Sequence, residues 1–415
     1  MQIEGLSSFF ISRSFGKVSG KAIVRVDINV PVRDGRINAD NLRLKACASN
    51  LEQYVKNGII PILISHQGRK GYDDYLESLA QHAEALSSLA SGVNVKYSDS
   101  LADEETANVA AALRQGDALL LKNVRSSEDE KAGFKSPADA AASEMVRSMV
   151  SLADIYINDA PATMHRKDTS LVGFIPELQS YLGLQMEKEL RILDEISNNI
   201  KSGKKTAIIF GGKKWEKLDY VYEIAKNMNI RILCGGVPGQ SIRYVADKSS
   251  FNKANEDLIL REGSLGTAEK LAKDFGDRIV APSDFILEDM ESVSASDLKN
   301  KIGAIADIGD DTLGRFFSEI AAAEMIIYAG PVGRYEKGYN QTIRLITRFM
   351  GEKALNYTFG GNSADSMDDI GLDRAYELLG GKRITAGGSA LAFMAGKELP
   401  VLDAFIGKSR QQNRY

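Results

Sequence analysis

The sequence has little cysteine and histidine, and each shortage excludes a class of protein. Cys47 and Cys234 are the only two cysteines in 415 residues, and they are far apart and without C-x-x-C spacing. This excludes a disulfide framework and most zinc sites. The three histidines, His66, His82 and His165, form no H-E-x-x-H pair of the kind that binds zinc. The composition therefore predicts a protein of the reducing cytoplasm.

Long apolar runs and an excess of one charge are also missing. No apolar run approaches the roughly 18 residues that a membrane helix needs. The 52 basic and 56 acidic residues leave a formal net charge of -4. Because no global field attracts nucleic acid or an anionic membrane, we expect neither as a partner. We expect a small-molecule substrate, a cationic site that is local, and either a monomer or a homodimer.

The chain length and the alternation of apolar segments predict the fold class. At 415 residues with 44% hydrophobic content, the chain exceeds what one core usually serves. Short β-branched runs alternate with Ala- and Leu-rich segments, which is typical of strands buried on both faces between helices. The predicted strands are 21–28, 58–65, 93–97, 117–123, 154–159, 206–212, 231–236, 278–285, 304–309, 325–330, 357–361 and 383–388. The prediction is an α/β protein with two doubly wound, parallel-sheet (Rossmann-like) domains joined by a helical hinge.

Two helical segments organise this alternation. Residues 183–203 form a charged amphipathic pattern closed by a glycine, with no strand inside, which places the domain junction near their start. Residues 136–153 predict a crossover helix with Ser136 as N-cap and Pro137 in the first helical position. We expect an N-terminal domain over 1–180, a C-terminal domain over 181–395, and a final segment, 396–415, that packs back on the N-terminal domain.

Glycines follow the predicted strands of the second half. Six of those seven strands end in glycine and open into helices. Backbone N–H groups and helix N-termini can approach phosphate oxygens there without an intervening side chain. A single glycine pair after a strand is usually only a tight turn, but six of them along one edge predict a nucleotide-phosphate site.

Polar and cationic residues follow the predicted strands of the first half. Arginine forks match carboxylate and phosphate groups bidentately, so this edge suits a small, strongly anionic metabolite. An isolated arginine is more often a surface charge or an ion-pair partner, but recurrence at successive strand ends favours a binding site. The residues concerned are Asp27, Asn29, His66, Gln67, Arg69, Arg125, Asn158, Asp159, His165 and Arg166.

An anion site in one domain and a nucleotide site in the other predict a kinase whose domains close during catalysis. No Walker A sequence and no protein-kinase H-R-D or D-F-G motif is present. Catalysis is therefore expected to rest on positioning and charge neutralisation. A nucleotide-dependent dehydrogenase is a weaker alternative, because GGVPG (235–239) lacks the G-x-G-x-x-G spacing.

An ordered set of motifs resembles phosphoglycerate kinase, in a divergent form of the archaeal type, over nearly the whole chain. The set comprises RVDINVP (25–31), SHQGR (65–69), KNVR (122–125), YINDAPATMHR (156–166), SLVGF (170–174), MEKEL (186–190), GGKK (211–214), DIG (307–309), GPVGRYEKG (330–338), FGGNS (359–363) and ITAGGSALAFMAGKELP (384–400). The resemblance implies reversible phosphoryl transfer between 1,3-bisphosphoglycerate and ADP in glycolysis, giving 3-phosphoglycerate and ATP with Mg²⁺.

The resemblance also assigns roles to residues of both domains. For the 3-phosphoglycerate site it implies Asp27, Asn29, Arg43, His66, Arg69, Arg125 and Arg166. For the nucleotide site it implies Gly211, Gly212, Lys214, Gly235, Gly236, Gly309, Glu336, Gly360, Gly361, Asn362 and Ser363. The residues it places at the transferring phosphoryl group are Arg43, Lys214, Gly361 and Gly387, and Asn362 is the implied metal ligand. Aligning Arg43 with the arginine of the family requires a one-residue insertion within ADNLRLKA (39–46), because Leu42 otherwise occupies the aligned position.

The second half departs from the family pattern at several positions. Leu218 stands where a lysine is expected at the nucleotide phosphates, Phe359 replaces the first glycine of a triplet, and Asn362 replaces a metal-linked aspartate. An amide oxygen can bind Mg²⁺ but brings no negative charge. These departures leave a second hypothesis open, that of a non-catalytic or altered-specificity relative that binds a phosphorylated carboxylate metabolite.

Overall fold

The computed structural model describes residues 3–213, 217–262, 265–348, 355–368 and 370–412. Contacts divide the chain into two compact units. The first unit comprises Met1–Asp194 together with Glu398–Tyr415, and the second comprises Glu195–Lys397. The division falls inside one long helix, Leu184–Lys201. No helix within the described residues is long and apolar enough to cross a membrane.

The first unit is built on a sheet of six parallel strands. Its strands are β1 (Gly20–Val26), β2 (Val32–Arg33), β3 (Arg36–Ile37), β4 (Ile59–Ile64), β5 (Asn94–Tyr97), β6 (Asp117–Leu120), β7 (Ile155–Asp159) and β8 (Gln179–Leu182). The sheet order is β5-β6-β4-β1-β7-β8, and β2 and β3 form a separate hairpin. The strand order reverses beside β1, and in open α/β sheets ligands bind at such a point, beyond the carboxyl ends of the strands.

The second unit holds another six-stranded parallel sheet and a small antiparallel one. Its strands are β9 (Thr206–Phe210), β10 (Arg231–Cys234), β11 (Ile279–Val280), β12 (Asp284–Leu287), β13 (Ser292–Ser294), β14 (Ile305–Ile308), β15 (Met325–Ala329), β16 (Leu355–Phe359) and β17 (Lys382–Ile384). The main sheet has the order β11-β10-β9-β15-β16-β17, and β13-β12-β14 form the antiparallel sheet. Here the order reverses at β9, between β10 and β15.

Helices cover the sheets, as buried parallel strands require. In chain order they are α1 (Leu42–Lys56), α2 (Ala80–Leu89), α3 (Glu104–Ala112), α4 (Pro137–Ala141), α5 (Glu144–Met149), α6 (Thr169–Val172), α7 (Leu184–Lys201), α8 (Lys217–Asn227), α9 (Gly236–Ala246), α10 (Lys253–Glu262), α11 (Leu265–Phe275), α12 (Asp310–Ala322), α13 (Gln341–Arg348), α14 (Gly361–Asp368), α15 (Asp373–Leu378), α16 (Gly388–Met394) and α17 (Pro400–Gln412). Short 3-10 turns lie at Ile3–Phe9, Ile11–Ser14, Val124–Ser126, Glu128–Lys131, Val150–Leu152, Pro161–Thr163, Lys248–Ser250, Leu298–Asn300 and Tyr335–Lys337. The predicted class, two parallel-sheet α/β domains, is confirmed.

The C-terminal helix α17 packs on the first unit. The rings of Phe9 and Phe405 meet edge to face with their centroids 5.3 Å apart. The amide of Val401 donates to the carbonyl of Met164 at 3.3 Å. The ammonium group of Lys408 donates to the carbonyl oxygen of Ile175 at 2.6 Å, which ties the helix to the loop before β8.

Local chemistry explains where the elements depart from the predicted ones. The predicted strand 278–285 splits into β11 and β12, which belong to different sheets, because Pro282 lacks the N–H that a continuous ladder needs. Residues 304–309, the predicted source of one edge glycine, contribute β14 to the antiparallel sheet instead. The predicted helix 136–153 breaks after Ala142, where the Ser143 hydroxyl accepts from the amide of Val146 at 3.3 Å and starts a new helix.

Candidate active site

A buried histidine lies at the centre of the first unit's polar strand ends. His66 follows β4 and is only 3% exposed. Burial first, and then the positive charges of surrounding guanidinium groups, hold the pKa of His66 well below its usual range. The ring is therefore neutral at physiological pH. The guanidinium groups concerned belong to Arg25, Arg125, Arg166 and Arg43.

The position of Arg25 determines which nitrogen of His66 carries the proton. An Nη atom of Arg25 lies 2.9 Å from Nδ1 of His66. Because a guanidinium can only donate hydrogen bonds, Nδ1 must accept, and the single proton of the neutral ring is on Nε2. Nε2–H is thus available to donate to an anionic ligand. The site predicted from the sequence does not include Arg25.

A chain of buried hydrogen bonds fixes Arg25 in turn. Nε of Arg25 donates to the Ser170 hydroxyl at 2.9 Å, and that hydroxyl donates to Glu130 at 2.9 Å. The amide of Ser170 also donates to Glu130 at 2.8 Å. Burial raises the pKa of Glu130, while the charge of Arg25 lowers it in part. Glu130 and Ser170 therefore act behind the site as positioning residues for Arg25 and His66.

Arg43 is held at the same edge by the segment that follows β1. The Asn41 side chain accepts from the amide of Arg43 at 3.0 Å and caps α1, so that Arg43 falls in its first turn. One guanidinium nitrogen of Arg43 lies 3.4 Å from Asp27 Oδ1 and 2.5 Å from the carbonyl oxygen of Asn29. The Asn29 side chain accepts from the amide of Gly68 at 2.8 Å, which joins this segment to the loop after β4.

Arg125 completes the cationic cluster. Burial first, and then the neighbouring charge of Arg166, lower the pKa of Arg125. Its guanidinium donates to the carbonyl of Gly68, and its amide donates to the Asn123 side chain at 3.0 Å. Because like charges repel, this cluster is relieved when an anion binds among its members.

Several polar atoms in the cluster are buried and have no hydrogen-bond partner. These atoms are Asp27 Oδ2, Arg43 Nε and Arg125 Nε. Buried polar groups in folded proteins are nearly always paired, so unpaired ones mark a place where a ligand's polar groups can bind. An acceptor and two donors suit a ligand that carries both a hydroxyl group and anionic oxygens.

Arg69 is the one predicted arginine that these interactions do not bring to His66. Its side chain is exposed, and its guanidinium carbon lies 5.2 Å from the centre of the Tyr72 ring. Its amide donates to Asp74 at 3.2 Å. Arg69 nevertheless directly follows Gly68, whose backbone contacts Asn29 and Arg125.

In the second unit, backbone segments approach one another closely where the sheet order reverses. A Cβ built on Gly211 would lie 2.4 Å from the carbonyl oxygen of Pro331, and one on Gly330 would lie 2.5 Å from that of Gly211. Gly236 has a φ of 55°, and a Cβ there would lie 2.8 Å from the backbone of Gly212. Glycine is required at these positions because any side chain would force the strand ends apart.

The glycines at this edge also open into helices. The first residues of α9 and α14 are Gly236 and Gly361, and Gly387 directly precedes α16. A Cβ on Gly387 would lie 3.0 Å from the Cα of Gly360, so two strand ends are in close contact here too. Helix N-termini with bare backbone amides stabilise phosphate groups. Glycines follow five strands of the main sheet at this edge: β9, β10, β15, β16 and β17.

Gly309, the sixth predicted edge glycine, follows the antiparallel sheet and has a packing role there. A Cβ on Gly309 would lie 2.1 Å from Asp284 Oδ2. The buried Asp284 carboxylate accepts from the amides of Asp311 at 3.0 Å and Thr312 at 2.8 Å. Gly309 therefore leaves room for an aspartate that caps the N-terminus of α12.

Lys217 brings an ammonium group to the glycine edge, and the sequence reasoning did not assign it. Its Nζ would lie 3.3 Å from a Cβ on Gly330 and 3.7 Å from one on Gly212. The same atom lies 5.8 Å from the centre of the Phe210 ring. Leu218, which the family pattern led us to compare with a lysine, is fully buried in the core. The lysine one residue earlier on α8 thus faces the edge.

The remaining predicted residues of the second unit are placed less directly. Lys213 pairs with Glu336 at 3.2 Å, and both side chains are substantially exposed. Ser363 is buried in the first turn of α14. Lys214, predicted to act at the transferring phosphoryl group, lies outside the described residues, and so does the side chain of Asn362.

Comparison with known proteins identifies the family. Residues 15–397 match the family model described as phosphoglycerate kinase. The chain belongs to the phosphoglycerate kinase family. It is 32% identical to a phosphoglycerate kinase of Sulfurisphaera tokodaii over 396 residues, which span 92% of each chain. It is 30% identical to that of Thermoplasma volcanium, over 98% of this chain and 99% of the relative. Both relatives bear out the expected archaeal type.

Solved structures of the family share the fold. The phosphoglycerate kinase of Pyrococcus horikoshii superposes with a TM-score of 0.84 at 26% identity, over 97% of this chain and 99% of that one. The structure from Coxiella burnetii, at 22% identity and a TM-score of 0.68, shows the same fold over 94% of this chain and 97% of that one. The predicted family and enzyme class are confirmed, and the chain is a phosphotransferase.

Proposed function

We propose that this enzyme transfers a phosphoryl group reversibly between 1,3-bisphosphoglycerate and ADP, with the first unit binding the phosphoglycerate and the second binding the nucleotide. One observation carries the proposal. Four arginines converge on a neutral His66 at the strand ends of the first unit, whereas the corresponding edge of the second unit is bare glycine backbone. Side-chain cations suit a small polyanion, and backbone amides with helix N-termini suit nucleotide phosphates.

The first unit binds 3-phosphoglycerate and keeps it oriented. Arg125, Arg166 and the Nε2–H of His66 bind anionic oxygens, and the unpaired Oδ2 of Asp27 accepts from the substrate hydroxyl. Arg43, anchored at Asp27 and Asn29, faces the transferring phosphoryl group. Because an acyl phosphate leaves as a carboxylate, the reaction needs no general base, and orientation with charge neutralisation suffices. Arg69 joins these contacts when the substrate binds.

The second unit neutralises the phosphates of ADP or ATP. Amides at Gly211, Gly212, Gly235 and Gly236, together with Gly360, Gly361 and Ser363, line the nucleotide site. The amides near Gly361 and Gly387 and the Lys214 ammonium stabilise the charge in transit. Lys217 supplies the phosphate contact that Leu218 cannot make. Gly309, directly before α12, and Glu336, at the ribose, are the remaining residues of the proposed nucleotide site.

The family resemblance assigns Mg²⁺ one protein ligand, Asn362. No group of three His, Cys, Asp or Glu side chains in the described part of the chain could hold a metal ion. Asn362, in the first turn of α14, would hold the ion through its amide oxygen beside the nucleotide phosphates. When bound, Mg²⁺ neutralises phosphate charge.

We also propose that the enzyme works in the reducing cytoplasm. Cys47 and Cys234 are buried free thiols. Burial raises the pKa of Cys234 to about 12, which keeps it protonated and unreactive. Free thiols of this kind suit a compartment in which disulfides do not form.

A coupled assay tests the reaction. Purified enzyme with ATP, Mg²⁺ and 3-phosphoglycerate should release ADP, and removal of either Mg²⁺ or 3-phosphoglycerate should stop the release. Replacing 3-phosphoglycerate by 2-phosphoglycerate, which moves the phosphate, should give little turnover. ADP release that does not depend on 3-phosphoglycerate would contradict the proposal.

Calorimetry on two variants tests the division of labour. Arg166→Ala should lose affinity for 3-phosphoglycerate and keep that for ADP. Lys217→Met should weaken ADP binding by about tenfold, as expected for a lost charge-assisted contact, and keep 3-phosphoglycerate binding. Lys226→Met, on the exposed face of the same helix, is the matched control and should bind both ligands normally.

A further inference from the structure

The second unit contains a cavity lined by residues of α9, α11 and α12 and of the segment after β11. Its volume is about 340 Å³, which falls at the lower end of the ~300–1,000 Å³ typical of small-molecule pockets. Helices α9 and α12 supply Arg243 and Arg315, and apolar walls come from Ile242 and Ile279. Arg243 follows Gly236 by seven residues on α9, so it lies about 10 Å along the helix from the glycine edge.

The charges that line this cavity have one sign. Arg243 and Arg315 belong to its lining, which includes no aspartate or glutamate. Neither arginine forms an ion pair with a described residue. The one nearby acid that interacts with Arg243 is Asp247, whose carboxylate accepts from the Ser249 hydroxyl at 2.8 Å. The charged side chains that line the cavity are therefore both cationic.

The arginines also retain unused hydrogen-bonding capacity. Nε of Arg243 is buried and has no partner. Within the described part of the chain, the Arg315 side chain forms one hydrogen bond, a long one from Nη to the carbonyl oxygen of Ala281 at 3.3 Å. A guanidinium carries five donors in a fork that matches an oxyanion. Two such forks facing one cavity can bind two oxygens of a polyvalent anion.

Hydroxyl groups complete the lining. Ser294 and Ser296, which lie 2.8 Å apart through their hydroxyl oxygens, and Ser283 all belong to it. Each hydroxyl can both donate and accept, so it suits hydroxyl or further oxyanion groups of a ligand. The lining thus combines cations, hydroxyls and a modest apolar wall.

We propose that this cavity is a second oxyanion site of the enzyme and takes a small polyvalent anion, either a phosphate ester or a polycarboxylate. The site is separate from both substrate sites of the proposed reaction and does not depend on it. Bidentate contacts from Arg243 and Arg315 bind the anionic groups, and the serines bind the ligand's remaining polar atoms.

Methyl NMR of the full chain tests the site. With isoleucine δ1 methyls labelled and the first unit saturated with 3-phosphoglycerate, pyrophosphate and citrate are titrated in separate experiments. The methyls of Ile242 and Ile279 should shift saturably with at least one probe, while that of Ile23 in the core of β1 should not. Pyrophosphate binding alone assigns a phosphate ester, and citrate binding alone assigns a polycarboxylate.

Variants tell a built site from general charge attraction. Arg243→Gln with Arg315→Gln should weaken the apparent affinity at least about tenfold. Lys270→Gln, an exposed charge on α11 outside the cavity, should leave it unchanged. If the double variant does not fold, Arg315→Gln alone replaces it in the same titration, because Arg315 is exposed and its substitution should not disturb folding. The proposal is overturned if the two cavity methyls stay unmoved, or if they shift with the same affinity in the arginine variants.

Discussion

The two units have the same kind of sheet but present different chemical groups at its strand ends. At the strand ends of the first unit, side chains converge, and their positions depend on a buried network from Glu130 through Ser170 and Arg25 to His66. At the strand ends of the second unit, side chains are excluded, and the backbone itself forms the surface. The comparison teaches that one architecture can present either guanidinium forks or bare amides at the same edge.

The two solutions respond differently to substitution. A guanidinium network depends on particular residues, because each member orients the next. A backbone surface depends on the absence of Cβ atoms and tolerates a change in which side chain supplies a supporting charge. The ammonium group of Lys217 lies at the glycine edge, while Leu218 is buried in the core.

The largest effect is expected from removing a guanidinium of the first unit. Arg125→Ala should cost about 2–5 kcal/mol of binding free energy, as for one partner of a buried charge contact, and so lower kcat/KM for 3-phosphoglycerate at least ~30-fold. Steady-state kinetics measures this. The control is Arg33→Ala, at an exposed residue of the β2–β3 hairpin. An equal loss of kcat/KM in this variant would show that arginines around His66 matter no more than surface arginines.

The buried carboxyl group of Asp307 in the second unit should make the folded state less stable as pH rises. Burial raises the pKa of Asp307 from 3.8 to about 6. The folded state therefore binds the proton more tightly, and stability is lost between pH 4 and 6, by up to about 3 kcal/mol. Asp307→Asn, a neutral isostere, should lack this share of the pH dependence. Urea unfolding of both proteins across that range gives the difference, and identical pH profiles would contradict the assignment.

Buried base in the first unit should act with the opposite sign. Burial lowers the pKa of His82 from 6.5 to about 4, and its Nε2 contacts Gln67 at 3.1 Å. The unfolded state then binds the proton more tightly, so this stability is complete above pH 6.5 and is lost as pH falls toward 4. His82→Gln should remove this pH-dependent part of the free energy of unfolding, which is up to about 3 kcal/mol. If the stability contributed by His82 instead fell as pH rose, as is expected for Asp307, the contrast between the two groups would be wrong.

A Cβ at the glycine edge should cost less but act on the nucleotide. Gly211→Ala would force the ends of β9 and β15 apart, since its Cβ would lie 2.4 Å from Pro331 O. We expect a loss of about 1–3 kcal/mol of stability and a raised KM for ADP, with KM for 3-phosphoglycerate unchanged. Gly266→Ala, in a helix with open space around it, should instead stabilise by up to about 1 kcal/mol. Unchanged nucleotide kinetics in Gly211→Ala would argue against a backbone site.

Much of the first unit's site could be predicted from the sequence. His66 and Arg125 follow apolar runs within a few residues, and the carboxyl ends of parallel strands meet at one edge. Convergence on one place therefore follows from the alternation of strands and helices. The hydrogen bond that fixes the His66 tautomer could not be predicted, because it depends on the position of Arg25 relative to a loop 41 residues away in sequence.

The second unit shows where such prediction stops. A strand followed by glycine looks alike whether it joins the parallel or the antiparallel sheet, so Gly309 was grouped with glycines of another sheet. Which residue of α8 faces the glycine edge depends on where the helix begins, since one residue turns the side chain by about 100°. Because of where α8 begins, Lys217 faces the glycine edge and Leu218 is buried in the core.

The sequence by itself determined the fold class and the chemical contrast between the two halves, because hydrophobic periodicity and residue type at strand ends are local properties. Its ordered motifs carried the resemblance to the family. Only the tertiary structure decided which donors are aimed at one point and which polar atoms remain unpaired. It also decided which glycines are required by close backbone contact. Those facts depend on distances between segments remote in the chain, and packing of the whole unit sets them.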